Sequence, residues 1–535
     1  MAGGRKGDDV SDTKPAPTSA ADLPERTKLL IFGLMAFGQF MALLDIQIVA
    51  GSLNSIQAGL SAGPDEIAWV QTAYLMAEIV MIPLAAFLSQ AVSTRWLFTA
   101  SAALFTLASL LCGFAWDIDS MIVFRAIQGF VGGAMVPTVF ATGFLMFDGP
   151  KRAMVPAILG VVSTLAPTLG PTVGGLITEA LDWRWLFFIN IVPGLAIAIL
   201  LPMLGKVDEA EPKMLKRIDW THVGSLALFL GGLQYMLEEG PRHEWFSDTG
   251  VATAAWLSFV GMVVFFERSF YSPNPVVRLT PFRRPTFVMA CVLNVVIGFG
   301  LYSATYLTPV FLGRVQNHSS LEIGLTVFVT GVFMFAGAPI AARLSTRMDQ
   351  RYVIAVGFSL FALGLWMMSQ ITADWGFWNF FLPQGVRGFA TLLCIVPAVG
   401  MALNGVAPQE LRYASGLFNL MRNLGGAVGI ALVNTWLGDF ARLHALRLNE
   451  SLSGSPEAAQ SFLQGLAGRF MSETPDTAHA MMMAQGEMAH VISRAALTLA
   501  FNDTFRLMAF LFLAALVLVP FSKAASVSGP PPDAH

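Results

Sequence analysis

Pro83-Leu84-Ala85-Ala86-Phe87-Leu88-Ser89 returns 256 residues later as Pro339-Ile340-Ala341-Ala342-Arg343-Leu344-Ser345. The register holds beyond it, with Arg95-Trp96-Leu97 answered by Arg351-Tyr352-Val353. Further on, Gln128-Gly129-Phe130 is answered at an offset of 259 by Arg387-Gly388-Phe389. A parallel repeat of this length inside an apolar chain is the mark of a transporter built from two homologous halves. Outward from it, the apolar runs between charges predict fourteen spans, at 29–50, 67–90, 96–115, 121–147, 153–177, 184–204, 220–239, 250–270, 285–311, 321–343, 352–371, 377–404, 412–437 and 500–521. Each is long enough to cross a hydrocarbon core of about 30 Å. Backbone in lipid must satisfy its own hydrogen bonds, and the alternating pattern of barrel strands is absent, so the spans are read as helices. The fold class expected is an all-α membrane protein, two six-helix bundles with two extra central spans.

Composition agrees with that reading. The 535 residues are 55% hydrophobic and 13% charged, against about 25% charged in soluble domains. A formal net charge of −3 gives no reason to expect nucleic acid as a partner. Cys112, Cys291 and Cys394 all fall within apolar runs, so neither a disulfide framework nor a metal-ligand spacing is expected, and no cofactor is called for.

The organisation follows from the spans. Residues 1–28 read as a disordered cytoplasmic tail, 29–204 as the N-terminal six-helix bundle and 205–270 as two additional spans with linkers. Residues 271–521 form the C-terminal bundle with a long outer loop at 438–499, and 522–535 a cytoplasmic tail. No small-residue cleavage site follows a short apolar core, so the first span reads as an uncleaved signal anchor. With the N-terminus inside, 21 of the 32 Lys and Arg fall on the cytoplasmic side, including all eight lysines, and seven outside. That bias predicts both termini in the cytoplasm. Helical stretches such as 457–470 are expected in the outer loop, with Met481-Met482-Met483 as a packing stripe on a short amphipathic helix.

Ionisable residues within spans are costly and point to function. Asp45, late in span 1, and Arg125, early in span 4, fall at similar depth in the outer half of the membrane. A proton on Asp45 would switch such a pair; a purely structural ion pair is the plainer alternative. Gln71, Tyr74 and Glu78 share a stripe on span 2 at spacings of three and four, and are expected to face a cavity. Glu78 there would bind a cationic group of the substrate or take the proton; a neutral Glu78 bonded to Tyr74 is the structural alternative. Arg387, with Gln128 as its repeat counterpart, is a candidate for an anionic group or a partner carboxylate. Span 5 carries Ala166-Pro167-Thr168-Leu169-Gly170-Pro171-Thr172-Val173-Gly174-Gly175. Small residues allow close helix approach and Pro167 and Pro171 remove backbone donors, which suits a kinked helix in a sliding contact between halves.

These residues resemble the fourteen-span drug:proton antiporters of the major facilitator superfamily, the EmrB/QacA type, over nearly all of 29–521. Leu44-Asp45-Ile46-Gln47-Ile48-Val49 resembles the family's span 1 motif. Met121 to Gly133, with Arg125, Gln128 and Gly129, resembles the span 4 motif, whose arginine is tied to proton coupling. The Gly170-Pro171-x-x-Gly174-Gly175 run resembles the antiporter motif. Trp183 to Asn190 with Pro193-Gly194, and Ala414-Ser415-Gly416 through Asn419, Arg422 and Gly425-Gly426, resemble further blocks. The resemblance implies proton-coupled export of amphipathic toxic compounds by alternating access in a bacterial inner membrane, with Arg125 tied to proton coupling. Asp45 and Glu78 join it as proton-coupling candidates from the span reading above, Glu78 being an addition to the family's pattern. Gln71, Tyr74, Glu78, Gln128, Arg387 and Asn419 would then contact substrate. The long outer loop resembles members that work with a periplasmic adaptor and an outer-membrane channel. Export of a siderophore, amino acid or lipid-like metabolite is the rival cargo.

Two departures stand out, the first in span 1, which has Ala50-Gly51-Ser52 where the family carries an Asn-x-Ala-Leu-Pro-like run. The loop between spans 2 and 3 lacks the family's acid, reading Ala86-Phe87-Leu88-Ser89-Gln90-Ala91-Val92-Ser93-Thr94-Arg95. Arg343, Arg347 and Asp349 in the matching loop are expected to compensate. The two middle spans are expected outside the core bundle, in a structural or lipid-facing role. An enzyme is not expected: the seven histidines are scattered and no His-Glu-x-x-His or Gly-x-Ser-x-Gly motif occurs.

Overall fold

The computed structural model describes residues 23–63, 66–204, 207–453, 456–471 and 476–521. Among them there is no strand. Following the chain, α1 is Glu25–Gly51, α2 Trp69–Val92, α3 Thr94–Gly113, α4 Ile118–Met146 (interrupted at Gly133 and Ala134), α5 Met154–Ala180 and α6 Trp185–Met203. Then come α7 Trp220–Glu239, α8 Thr249–Tyr271, α9 Pro285–Arg314, α10 Ser320–Arg347, α11 Gln350–Met368, α12 Phe377–Leu403, α13 Pro408–Ser453 and α14 Thr477–Ala515. Twelve helices among the described residues are long and apolar enough to cross a membrane, which makes this a multi-pass membrane protein. α5 and α7 are not among the twelve. At 27 and 20 residues they still reach about 30 Å or more.

The packing repeats as the sequence does. α1 lies on α5 as α9 lies on α13, α2 on α4 as α10 on α12, and α3 on α6 as α11 on α14. Across the two halves α5 meets α10 and α2 meets α13, again a repeat-related pair. The close approaches are built by matching glycines. A Cβ on Gly129 would collide with the Tyr74 carbonyl, and a Cβ on Gly388 with the Thr330 carbonyl; Tyr74 and Thr330 are themselves 256 apart. Only a missing side chain lets the two backbones come this near.

The described residues of the 438–499 segment, expected as an outer loop, are almost all helical. α13 runs 46 residues and α14 39, so both continue well past the roughly 20 residues a membrane requires. The helix Pro456–Phe470 sits between them. Residues 439–453 contain neither glycine nor proline, so nothing in the chain ends the helix at the membrane surface. Met482 on α14 is exposed, so the methionine run is not a fully packed stripe.

The hairpin of α7 and α8 is not wholly peripheral. α8 packs mainly on α7, but α7 reaches α2 in one half and α13 in the other. The Trp69 and Tyr235 rings meet at 5.4 Å. Thr72 Oγ1 donates to Glu239 Oε1 at 3.3 Å, and Trp245 Nε1 just beyond α7 donates to Thr435 Oγ1 of α13 at 3.1 Å. The expectation that the pair sits outside the core bundle in a structural or lipid-facing role is corrected in its placement for α7, which packs on both halves and whose polar face holds Gln234, Glu238 and Glu239. Those side chains are too costly to leave in lipid.

Candidate functional site

Three sets of polar side chains occupy the interior. The first lies wholly within the N-terminal half. Asp45 of α1 accepts from Arg125 Nη1 at 2.6 Å, Gln128 Nε2 at 3.1 Å and Asn190 Nδ2 at 2.7 Å. Arg125 also donates to Gln128 Oε1 at 2.7 Å and to the Val70 carbonyl at 3.2 Å. Both charged side chains are sealed from solvent, each 0% exposed. The guanidinium carbon stands 4.3 Å from the Tyr74 ring centre, a cation–π contact. A buried ion pair is tolerated only when further hydrogen bonds complete it, and Gln128 and Asn190 supply them.

The second set is its repeat counterpart with the roles exchanged. Arg387 Nη2 donates to Gln384 Oε1 and, at 3.2 Å, to Thr330 Oγ1. Arg125 and Gln128 are three apart on α4, and Gln384 and Arg387 three apart on α12, so the arginine has moved one turn along the repeat. No ion pair to Arg387 occurs among the described residues, and its Nη1 has no hydrogen-bond partner.

The third set faces open space between the halves. A cavity of about 140 Å³ is walled mainly by α1, α2, α7 and α13, with Val136 contributed by α4, Ser163 by α5 and Tyr302 by α9. Gln71, Glu78, Gln234, Glu238 and Arg422 bring polar atoms to it, among aliphatic neighbours such as Leu43, Leu75 and Ile430. A second cavity of about 420 Å³ shares Gln47, Gln71, Glu238 and Tyr302 with the first and continues to Ala50 and Leu53, beyond the end of the α1 core. The space thus opens toward the end of the bundle where α1 finishes. At the end where α1 begins, the halves are pinned together. Ser415 Oγ donates to the Pro137 carbonyl at 3.0 Å and the Tyr413 hydroxyl to Gln90 Oε1 at 3.2 Å.

Asp208, in the linker after α6, completes that closure. It accepts from Ser93 Oγ at 2.6 Å, Thr94 Oγ1 at 2.6 Å and the Thr94 backbone N–H at 3.0 Å. It also forms an ion pair with Arg412 near the start of α13. The linker therefore returns a carboxylate to the loop between α2 and α3 that lacks one. The expectation that Arg343, Arg347 and Asp349 compensate is corrected: Asp349 caps α11 and pairs with Arg351 at 3.9 Å.

Several expected site residues lie elsewhere than foreseen. The 71/74/78 stripe splits: Gln71, Leu75 and Glu78 face the cavity, while Tyr74 turns to Arg125 and its hydroxyl has no partner. A helix turns 100° per residue, so 71, 75 and 78 share a face better than 74 does. No hydrogen bond joins Glu78 to Tyr74 among the described residues. Gln128 is committed to Asp45, and Arg387 lines neither cavity. Asn419 is buried, accepting from Arg422 Nη2 at 2.7 Å and donating to the Ser415 carbonyl at 2.9 Å, and lines neither cavity. Gly170 and Gly174 abut Gln47 and Ile48 of α1, inside one half, and Gly175 is buried beside them. Contacts between halves on α5 are made instead by Thr172 against Gly324 of α10 and by Gly160 against Leu392 of α12. The side chains of Pro167 and Pro171 lie outside the described residues.

Sequence reasoning missed Asn190, Glu238, Arg422 as a cavity residue, and the Asp208–Arg412 pair. Asn190 and Arg422 carried a signal, as polar residues inside apolar spans. Glu238 sat near a span end and read as interfacial. Among the described residues no group of three His, Cys, Asp or Glu gathers to hold a metal.

A two-fold repeat of helices, closed at one end and open to a polar-apolar cavity at the other, defines a secondary transporter. Residues 35–430 match the model of the Major Facilitator Superfamily, and the chain belongs to that family. Within it the chain falls in the EmrB/QacA-type group. It is 40% identical over 93% of its length to the colistin resistance protein EmrB of Acinetobacter baumannii, covering 97% of that protein. It is 28% identical over 93% of its length to the multidrug export protein EmrB of Escherichia coli, covering 96% of it. Among solved structures, the human organic anion transporter MFSD10 matches with a TM-score of 0.55 at 15% identity, over 91% of this chain and 99% of that one. A bacterial homologue of the lysosomal transporter Spinster, in an inward-facing conformation, matches at 0.52 and 14%, over 94% of this chain and 100% of that one. The protein is a transporter of small molecules.

Proposed function

We propose that the protein is a proton-coupled multidrug exporter of amphipathic toxic compounds, with fourteen spans, in a bacterial inner membrane and with both termini cytoplasmic. The two bundles, 29–204 and 271–521, rock about the central cavity. The observation that carries this reading is the cavity itself: largely aliphatic walls, with Glu78 on one side making no hydrogen bond or ion pair among the described residues. A carboxylate left free in an apolar cleft is one that cargo and proton can compete for. Such competition couples the two only if each binds the two facing states unequally.

Asp45 and Arg125 form the switch behind the wall. Asp45 lines neither cavity, yet Ile46 and Gln47 beside it do. Protonating Asp45 removes the charge that fixes Arg125 and frees the contact between α1 and α4. Asp208 with Arg412 holds the cytoplasmic end shut while the cavity faces outward. The names of the EmrB relatives support the efflux reading, and the projecting parts of α13 and α14 support docking of a periplasmic adaptor that continues to an outer-membrane channel.

The test is expression in an efflux-deficient bacterial strain with a susceptibility panel and a protonophore control. Resistance that collapses with the protonophore is the expected result. Resistance unchanged by it would exclude antiport, and no resistance to any amphipathic compound would move the cargo to the metabolite class.

A further inference from the structure

Glu238 lies on α7, a helix that neither repeat supplies, and it is shared by both cavities. Like Glu78, it makes no hydrogen bond or ion pair among the described residues. Its neighbour Glu239 is engaged instead: it accepts from Thr72 and faces Arg242 at 3.7 Å and His243 at 3.6 Å. The inner cavity therefore presents two free carboxylates, Glu78 on α2 and Glu238 on α7. Its one base, Arg422, is held by Asn419 and lies 5.6 Å from the Phe140 ring centre.

The spacing follows from the helix. Glu239 is bonded to Thr72, and Thr72 lies six residues from Glu78, which is about 9 Å along α2. Glu78 occurs only on the inner cavity and Glu238 at its junction with the outer one. The walls around them mix aliphatic Leu75 and Ile46 with the uncharged Gln71 and Gln234.

We propose, resting on the exporter reading above, that α7 supplies a second cation site. On this assignment an amphipathic organic cation is held first at Glu78 and passes to Glu238 on its way out, so that Glu238 determines preference for cationic over neutral cargo. The extra hairpin thus belongs to the transport path. A desolvated carboxylate discriminates by charge because only a cation repays its loss of water.

The experiment uses the full-length protein in proteoliposomes with an imposed proton gradient. The probes are tetraphenylphosphonium and the neutral triphenylphosphine oxide. The variants are E238Q, E238D and, on the exposed face of α8, E267Q. In E238Q the KM for tetraphenylphosphonium rises about tenfold or more, as expected for losing one desolvated charge partner, while that for triphenylphosphine oxide shifts far less. E238D recovers most of the loss, and E267Q matches the wild type. An equal shift for both compounds, or none for the cation, overturns the assignment. Failure of the exporter reading is seen separately, as a wild type that moves neither compound. In that case tetraphenylphosphonium binding to the detergent-solubilised protein still decides: weaker binding in E238Q supports the site, and equal binding overturns it.

Discussion

Replacing Asp208 with Asn keeps the shape of the side chain and removes its charge. In the structure Asp208 joins Ser93 and Thr94 of one half to Arg412 of the other, with side-chain exposures of 9% for Asp208 and 13% for Arg412. Breaking one partner of a largely buried, hydrogen-bonded charge pair costs about 2–5 kcal/mol. Some solvent reaches this pair and the Ser93 and Thr94 donors stay on the same half, so the low end, about 2 kcal/mol, applies to the closure. That is a shift of roughly 30-fold in the ratio of closed to open at this end. A 99:1 preference would fall to roughly 3:1. Spin labels at Trp96→Cys and Tyr352→Cys report it directly, since both positions are exposed at the starts of the repeat-related α3 and α11. The native Cys112, Cys291 and Cys394 are buried and will not compete for label. Electron–electron distance measurements should show a longer population growing in D208N and in R412Q, with the double variant no worse than either single one. An unchanged distribution in both, or a double variant in which the two effects simply add, would refute the latch.

Asp45→Asn should abolish proton-coupled transport while expression is retained, read as cargo uptake in inverted vesicles with and without a pH gradient; full activity would remove Asp45 from the switch. Arg125→Met should lower thermal stability more than Arg387→Met. The first strands a buried carboxylate, worth about 3–5 kcal/mol, and the second only the neutral oxygens of Thr330 and Gln384, about 1–3 kcal/mol. Equal melting shifts would contradict that ranking. Gly425→Ala puts a methyl onto the Val295 carbonyl, and overpacking of this kind costs about 1–3 kcal/mol; a thermal midpoint equal to that of the wild type would show that α9 and α13 yield more easily than the geometry indicates.

The sequence by itself determined the helical class, because apolar runs of membrane length admit few other solutions, and it determined the pairing of elements across the halves, because the 256-residue repeat is a statement about equivalent environments. Asp45 and Arg125 stood out from their cost alone: a charge inside an apolar run needs a reason, and equal depth pointed each toward the other. Tertiary structure alone decided which way side chains face. One rotational step on a helix separated Tyr74, turned to Arg125, from Gln71 and Glu78, turned to the cavity. The arginine of α12 proved to be enclosed, and the arginine that meets the cavity came from α13. Likewise the acid that the α2–α3 loop lacks came from Asp208, over a hundred residues away. Contacts between segments far apart in the chain depend on distances through space, and a one-dimensional pattern of apolar runs carries period and depth but no such distances.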